Sequence, residues 1–443
     1  GPEYHAMAKH PVSATRFCQL GTVRRRSSTR SPVHHRYPAS AILGNVSKAT
    51  KFLLASAVAS GGTVVAAIEI AAISTEAGGS SGGAYTAAVL GLVSVFTAIS
   101  TPFVTGWIHR WGCSELLRNS LFLHTVIFVP IGVAATSSSS AYALILVMTP
   151  LSGVLMAIRM TCTPLFARVA LTRDSPAMWA RRQLFRGPAC AVGAIIGGFF
   201  VSDSLQGLGL VLGGLTTLPL AVVAASTQIP TNTESRRRRE FALGRDLLTM
   251  WRDPSTRVGL GVAAVGAIVL APLHAMIVPV VSQLDQVDLL QGAGLILAAL
   301  QIGSMGTTAV LPRMRAHPSV TNNRLAPAAL AMAGALLILL AMSAAWLVGR
   351  PELVAWVLIA GLIGLARGVV SAAQLGEFME DTAGVSDADG MALLNFVRTA
   401  LTPVGLLLWG FTVDAVGAEV LLTAAGLVTV GVASLLARPR RQA

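Results

Sequence analysis

Apolar and polar positions alternate along this chain on the scale of a bilayer. Stretches of about twenty predominantly apolar residues, the length that carries a helix across hydrocarbon, recur at approximately 49–73, 84–108, 116–135, 141–166, 180–202, 205–227, 257–281, 289–311, 324–348, 352–376, 390–413 and 417–437. Lipid offers the backbone no hydrogen-bond partner, so each such stretch is expected to be helical, Pro and Gly included. The division between the fifth and sixth is the least marked, with Asp203 and its neighbours supplying the turn. The expected fold is an all-α polytopic membrane protein, twelve transmembrane helices in two pseudo-symmetric six-helix bundles. A basic N-terminal tail (1–45), a first bundle (46–228), a basic linker (229–256), a second bundle (257–437) and a short basic tail (438–443) follow from the same pattern.

Composition agrees. With 53% hydrophobic and 12% charged residues in 443, and a mean hydropathy of +0.68, there is too little polar surface to coat a soluble protein of this size. The net charge of +13 would point to nucleic acid in a soluble chain. Here, of 33 Lys and Arg, only Arg350 falls on one side of the bilayer, Arg159 and Arg367 fall inside apolar stretches, and the rest group with alternate connections. That asymmetry places both termini in the cytoplasm and leaves the lipid bilayer, not nucleic acid, as the partner of the basic surface. Cys18, Cys113, Cys162 and Cys190 lack metal or disulfide spacing, and the His residues form no metal motif. The opening GPEYHA reads as a tag remnant before Met7, and the Ala-, Val-, Gly- and Arg-rich, Lys-poor composition points to a bacterial cell membrane and a GC-rich genome. The linker carries Arg236 to Arg239, and its Leu243, Leu247, Leu248 and Trp251 fall at the spacing of an interfacial amphipathic helix.

The two halves share an internal repeat. Ala66-Ala67-Ile68-Glu69 aligns with Ala271-Pro272-Leu273-His274, Arg159 with Arg367, and Arg186, Gly193, Gly198 and Phe199 with Arg398, Gly405, Gly410 and Phe411, with Asp203 and Asp414 beyond them. Twelve spans, a basic central loop and parallel duplicated halves resemble the major facilitator superfamily, over essentially the whole chain after residue 45. The family's P-x-x-G-x-x-x-D-R-x-G loop is matched by Pro102, Arg110 and Gly112, but Thr105 and His109 stand at its first Gly and its Asp. The resemblance therefore nominates His109 and Arg110 for gating without the usual acidic latch. Gly187-Pro188 with Gly193, Gly197 and Gly198 is similar to the Gly-Pro signature of proton-driven exporters, and implies a gating role for Gly187 and Pro188 and a mild preference for export.

Charges inside the membrane are costly and mark function. Glu69, the acid deepest in an apolar stretch, is the candidate proton carrier, and His274 is its symmetry counterpart across a cavity. Arg159 and Arg367 cannot shed their protons. The resemblance nominates Arg159 for proton transfer or substrate anions, while snorkelling to the interface is the competing role. Glu377 and Arg398 complete the gating candidates, although Arg186 and Arg398 read first as topology anchors; His124 reads as a packed core residue. The acidic loop with Glu380, Asp381, Asp387 and Asp389 reads as solvated.

No Gly-rich phosphate loop accompanies Lys9, Lys48 or Lys51, so the expectation is secondary transport, without enzyme activity or cofactor, driven by a proton gradient. A monomer exchanging protons for small apolar or amphiphilic compounds by alternating access is the leading expectation. Proton-coupled uptake of a small anionic metabolite through Arg159 and Arg367 is the alternative. A membrane-embedded transferase and a non-transporting scaffold are further outliers.

Overall fold

A computed structural model describes residues 39–136, 141–170, 176–201, 207–227, 254–283, 287–315, 322–347, 349–379 and 387–437, with positions 205, 248, 251 and 252 between them. The basic tails, Asp203, Glu380, Asp381 and nearly all of the linker lie outside the described residues. Of the anticipated interfacial helix only Leu248 and Trp251 are described, and both are exposed.

The described chain is helical almost throughout. Helix α1 (Ala39–Gly78) passes through a single 3₁₀ turn into α2 (Gly82–Trp111), followed by α3 (Cys113–Ala135), α4 (Ala141–Ala170) and α5 (Pro176–Phe200). The sixth passage is made of α6 (Leu208–Leu215) and α7 (Leu218–Ser226). The seventh is broken into α8 (Pro254–Val265), a π-helical stretch (Gly266–Leu270), α9 (Ala271–Ala275) and α10 (Ile277–Ser282). Helices α11 (Val287–Arg315), α12 (Asn322–Trp346), α13 (Arg350–Met379), α14 (Asp387–Val416) and α15 (Ala418–Leu436) complete the chain. Ten stretches are long and apolar enough to cross a membrane; the first, Ala49–Val104, turns back on itself at Gly78–Gly82, and the apolar segment Gly292–Thr308 lies within α11. Counting that turn and that segment gives the expected twelve passages. Large side chains such as Ile99, Phe103, Val147, Phe199 and Trp346 are exposed along these helices, a surface suited to lipid.

The packing repeats with the sequence. In the first half α2 packs on α4, and α3 packs on α4 and on the sixth passage. In the second half α11 packs on α13, and α12 packs on α13 and α15. Between the halves, α2 packs on α14 and α5 on α11, again the same pair twice. The repeat residues Gly198 and Gly410 sit at these two crossings. A Cβ on Gly410 would lie 2.6 Å from the carbonyl oxygen of Gly83, and one on Gly294 would lie 3.0 Å from Cα of Gly198. Only glycine permits such backbone approach, which in a membrane supplies the packing that apolar side chains facing lipid cannot.

Both glycine crossings lie at the ends of helices opposite the side where α1 begins; these sides are called far and near below. At the far side Asp414, near the end of α14, accepts hydrogen bonds from the backbone N–H groups of Gly83 (3.0 Å) and Ala84 (2.7 Å) at the start of α2. The helix start has donors without intrahelical partners and a partial positive charge, so a carboxylate from the other half of the chain both satisfies and neutralises it. Asp414→Ala removes both acceptors, and charge-assisted bonds of this kind are worth about 1.5–3 kcal/mol, so the far side should open more often by roughly tenfold or more. The rate at which an impermeant maleimide labels Ala87→Cys, buried against Gly410, reports this in a background lacking the native cysteines. An unchanged rate would show that the carboxylate does not hold this side shut.

Candidate functional site

Small residues let α1 and α6 meet closely. Gly209 and Gly213 of α6 are four apart and turn the same face to α1; a Cβ on Gly213 would lie 2.6 Å from that of Ala66 and 2.9 Å from the Gly62 carbonyl. The turn into α6 is made by Gly207 at φ 90°, a conformation side chains disfavour, and its Cα faces Gly132 and Thr136 of α3. In the resulting niche the Glu69 carboxylate, 0% exposed, accepts the backbone N–H of Gly207 through Oε1, while Oε2 lies against Gly209 in the first turn of α6. Glu69 thus sits at the start of α6, where a carboxylate suits the helix dipole.

The arginines converge on the near half of the interior. Arg159 approaches from the C-terminal part of α4, Arg182 and Arg186 from the first turns of the span in α5, Arg367 from the C-terminal part of α13 and Arg398 from the early part of α14. Arg186 is within electrostatic reach of Arg159, Arg182 and Arg367, and Arg367 is within reach of Arg398. These are contributions from both halves. Arg186 is exposed, and the others are half-buried. Arg159 and Arg398 bond to neutral acceptors: Arg159 donates from both terminal nitrogens to the Thr63 hydroxyl (3.1 Å each) and from Nη2 to the Ala59 carbonyl (3.5 Å). Arg398 donates to the Gln374 side-chain oxygen, and Gln374 in turn donates to the Gly259 carbonyl (3.4 Å). For Arg159, Arg367 and Arg398, the charges acting on them among the described residues are all arginines.

His274 joins this group. It lies in the short α9, between the π-helical stretch and the break at Met276, with Arg367 and Arg186 as charges within reach and its Nδ1 buried without a hydrogen-bond partner among the described residues. Irregular backbone at membrane depth is sustained where it lines a cavity or is buried in protein. The expected Glu69–His274 pair is not formed: Glu69 turns to the start of α6, and no hydrogen bond or ion pair joins the two, although Asp414 latches the far side. His124 stacks on Phe128 (4.1 Å between ring centroids) with Arg159 within reach.

The remaining gating candidates separate. Arg110 is exposed at the end of α2, with its guanidinium 5.8 Å from the Trp111 ring. The side chains of His109 and Glu377 lie outside the described residues, as do those of Asp387 and Asp389. Pro188 is exposed inside α5, and Gly187 is buried against Met305 of α11. Gly193 and Gly197 pack on Gly61, Val65 and Ile68 of α1. The glycine run therefore seats α5 between α1 and the other half of the chain. Beside it Gln183 donates to Ser304 of α11 (3.1 Å), a cross-half bond near the arginines.

The sequence reads Arg186 and Arg398 first as topology anchors and Arg398 also as a gating candidate; the structure places Arg186 within electrostatic reach of Arg159 and Arg367, and Arg398 within reach of Arg367. Sequence reasoning also missed Thr63 and Gln374, the neutral partners of the charged groups. The pairing of Arg186 with Arg398 in the internal repeat was the available signal, since repeats place equivalent residues on equivalent sides of a central axis.

No family model and no curated protein matches the chain. Among solved structures it is similar to the nucleoside transporter NupG, at 11% identity and a TM-score of 0.65, and to a point-mutant form of that protein at 11% and 0.62. Each alignment covers 87% of this chain and 98% of the other. Identity this low speaks to architecture alone. With the repeated helix packing, it shows a multi-pass membrane protein whose helical fold is like that of this transporter.

Proposed function

We propose that this protein is a secondary transporter that carries a small anionic metabolite into the cell by alternating access. The near side is the cytoplasmic one, by the distribution of positive charge in its connections. The observation that carries the reading is the convergence of Arg159, Arg186, Arg367 and Arg398 on one interior region from both halves of the chain. Two like charges roughly 8 Å apart at an effective dielectric of about 20 repel by about 2 kcal/mol, and a lone charge in the membrane costs about 2.5–3.5 kcal/mol on insertion scales. A fold that holds several together needs water or an anion among them. Guanidinium groups meet carboxylate and phosphate oxygens in bidentate geometry, which favours small carboxylates or phosphates as cargo.

Export of apolar or amphiphilic compounds in exchange for protons finds less support. A cationic interior disfavours uncharged apolar cargo, and Glu69, the residue expected to carry the proton, is engaged with the Gly207 N–H. The described architectural neighbours include a nucleoside transporter, which supports solute transport as the general activity. No enzyme activity and no cofactor are proposed.

Thermal shift of the purified protein separates the cargo classes, because a ligand that binds only the folded form raises stability in proportion to its occupancy. Citrate, succinate and phosphate are the anionic probes, and uridine is the neutral one. At least one anion should stabilise the protein and uridine should not; Arg159→Gln should weaken that anion by about tenfold to a hundredfold. Stabilisation by uridine or by apolar compounds, indifferent to Arg159→Gln, would reject the anionic reading.

Glu69 gives a second test. As a cap it tolerates Glu69→Gln, which retains an acceptor for the Gly207 N–H, while Glu69→Ala should lower stability by about 0.5–2 kcal/mol. Unfolding midpoints and anion uptake measured side by side check this. Loss of gradient-driven uptake in a fully stable Glu69→Gln protein would instead assign the carboxyl to proton coupling.

A further inference from the structure

Transport makes no use of thiol groups, and the fold brings two of them together. We propose that Cys113 and Cys162 are a redox-sensitive pair, oxidised to an intramolecular disulfide that staples the near ends of α3 and α4. Cys113 is the first residue of α3, and Cys162 lies in the C-terminal part of α4. Its thiol donates to the carbonyl oxygen of Cys162 (3.6 Å) across 49 positions of sequence. A residue's Cβ stands beside its own carbonyl, so this contact draws the side chains together, and the two thiols also hydrogen-bond each other. A bridge requires Cα atoms within about 7 Å and side chains turned toward one another, the arrangement that thiols in contact on adjacent helices provide.

Local backbone holds Cys113 in place. Helix α2 passes into α3 through Gly112 alone, at φ 81°, a conformation that glycine tolerates. The Gly112 N–H donates to the Ile108 carbonyl (2.9 Å), and its own carbonyl accepts the N–H of Leu116 (3.1 Å). The next residue, Ser114, donates to the Thr227 carbonyl beyond α7 (2.9 Å). Both cysteines belong to one packed cluster with Phe52, Leu117 and Phe166, whereas Cys190 belongs to another. A thiol is a weak donor, so the reduced pair adds little to the packing of the two helix ends. In the cytoplasm, where the charge distribution places the near side, disulfides are uncommon and those that form are chiefly transient or redox-sensing.

Hydrogen peroxide is the oxidant class that suits so enclosed a pair, being small and uncharged. Cys113 is 6% exposed and Cys162 0%, so the first attack falls to Cys113, where the N–H groups opening α3 suit the charge of a thiolate. Its sulfur attacks one peroxide oxygen; the O–O bond breaks, a sulfenic acid forms, and the departing hydroxide leaves as water with the proton that the thiol released. The Cys162 sulfur then attacks the sulfenic sulfur. The S–S bond forms, the S–O bond breaks, and the second water carries away the Cys162 proton. Two thiols and one peroxide become one disulfide and two waters, and a dithiol reductant reverses the bond by exchange. Both helices lie in the first half of the chain, so the staple stiffens one half without tying it to the other.

The test uses purified full-length protein carrying Cys18→Ser and Cys190→Ser, which retains only this pair. The protein is treated with hydrogen peroxide, alkylated under denaturing conditions and digested. Mass spectrometry should recover the Cys113 and Cys162 peptides joined and lacking the two thiol hydrogens, and dithiothreitol should part them. Oxidation should raise the thermal unfolding midpoint by roughly 4–8 °C, reversibly with dithiothreitol. Cys113→Ala and Cys162→Ala in the same background, each with a cooperative transition of its own, should show no such rise. Alkylation of both thiols after peroxide, a sulfinic acid on Cys113 beside a free Cys162, or linkage only between separate molecules would each overturn the pair. A disulfide that leaves the midpoint unchanged would overturn the staple. None of these outcomes depends on which solute is carried.

Discussion

A positive charge that cannot be discharged must be paired, hydrated or placed at a boundary, and the interior of this protein holds several. Salt bridges to resident carboxylates would make such a group inert. Here hydroxyl, amide and carbonyl oxygens hold the guanidinium groups of Arg159 and Arg398 in place, so position is fixed while charge stays available. The arrangement separates two tasks that an ion pair would merge, orientation and neutralisation. On the proposed reading the first belongs to Thr63, Gln374 and the backbone, and the second to the cargo.

Holding like charges in proximity requires that the surrounding helices be secured by something other than electrostatics. The glycine positions serve this end. Gly193 rests on Gly61, and the equivalent Gly405 rests on the backbone of Ile268, with Pro272 beside it; the same helix pair is thus joined in both halves by backbone approach. Gly198 with Gly294, and Gly410 with Gly83, repeat the device between the halves. Such contacts are short-ranged and uncharged, so packing can resist the repulsion with no need to cancel it. The second partner of each pair is less regular, because the seventh passage is interrupted at Gly266–Leu270 and again at Met276 while α1 runs unbroken. His274 lies in that interrupted stretch whereas Glu69, its counterpart in the repeat, lies in a continuous helix, and their surroundings have diverged accordingly.

The sequence carried the passages, the repeat and the residues that break the charge rule, since each rests on local composition or on spacing within one helix. What it left open depends on long-range partners. Nothing near Glu69 announces that Gly207, in a turn of positive φ, presents an N–H to it, nor that Gly209 and Gly213 bring that turn close enough. Arg186 and Arg398 look like interfacial anchors because each stands near a helix start, and only helix packing places Arg186 beside Arg367. Asp414 reads as a terminal acid until the start of α2 is placed against it. In each case the side chain's surroundings are set by a group from a distant part of the chain, which hydrophobic periodicity does not encode.

The two sides of the membrane are consequently unequal in what closes them. The far side is joined by backbone against backbone and by a carboxylate on a helix start, interactions complete without any ligand. The near half gathers like charges from both halves, and on the proposed reading these oppose approach until an anion is bound. On that reading the far-side bonds and the repulsion among the arginines favour the same state, closed on the far side and open on the near one. On that reading an anion bound among the arginines cancels the repulsion and lets the far-side bonds break. The direction of the resting bias follows from where the charges sit along the helices, independently of which anion is carried.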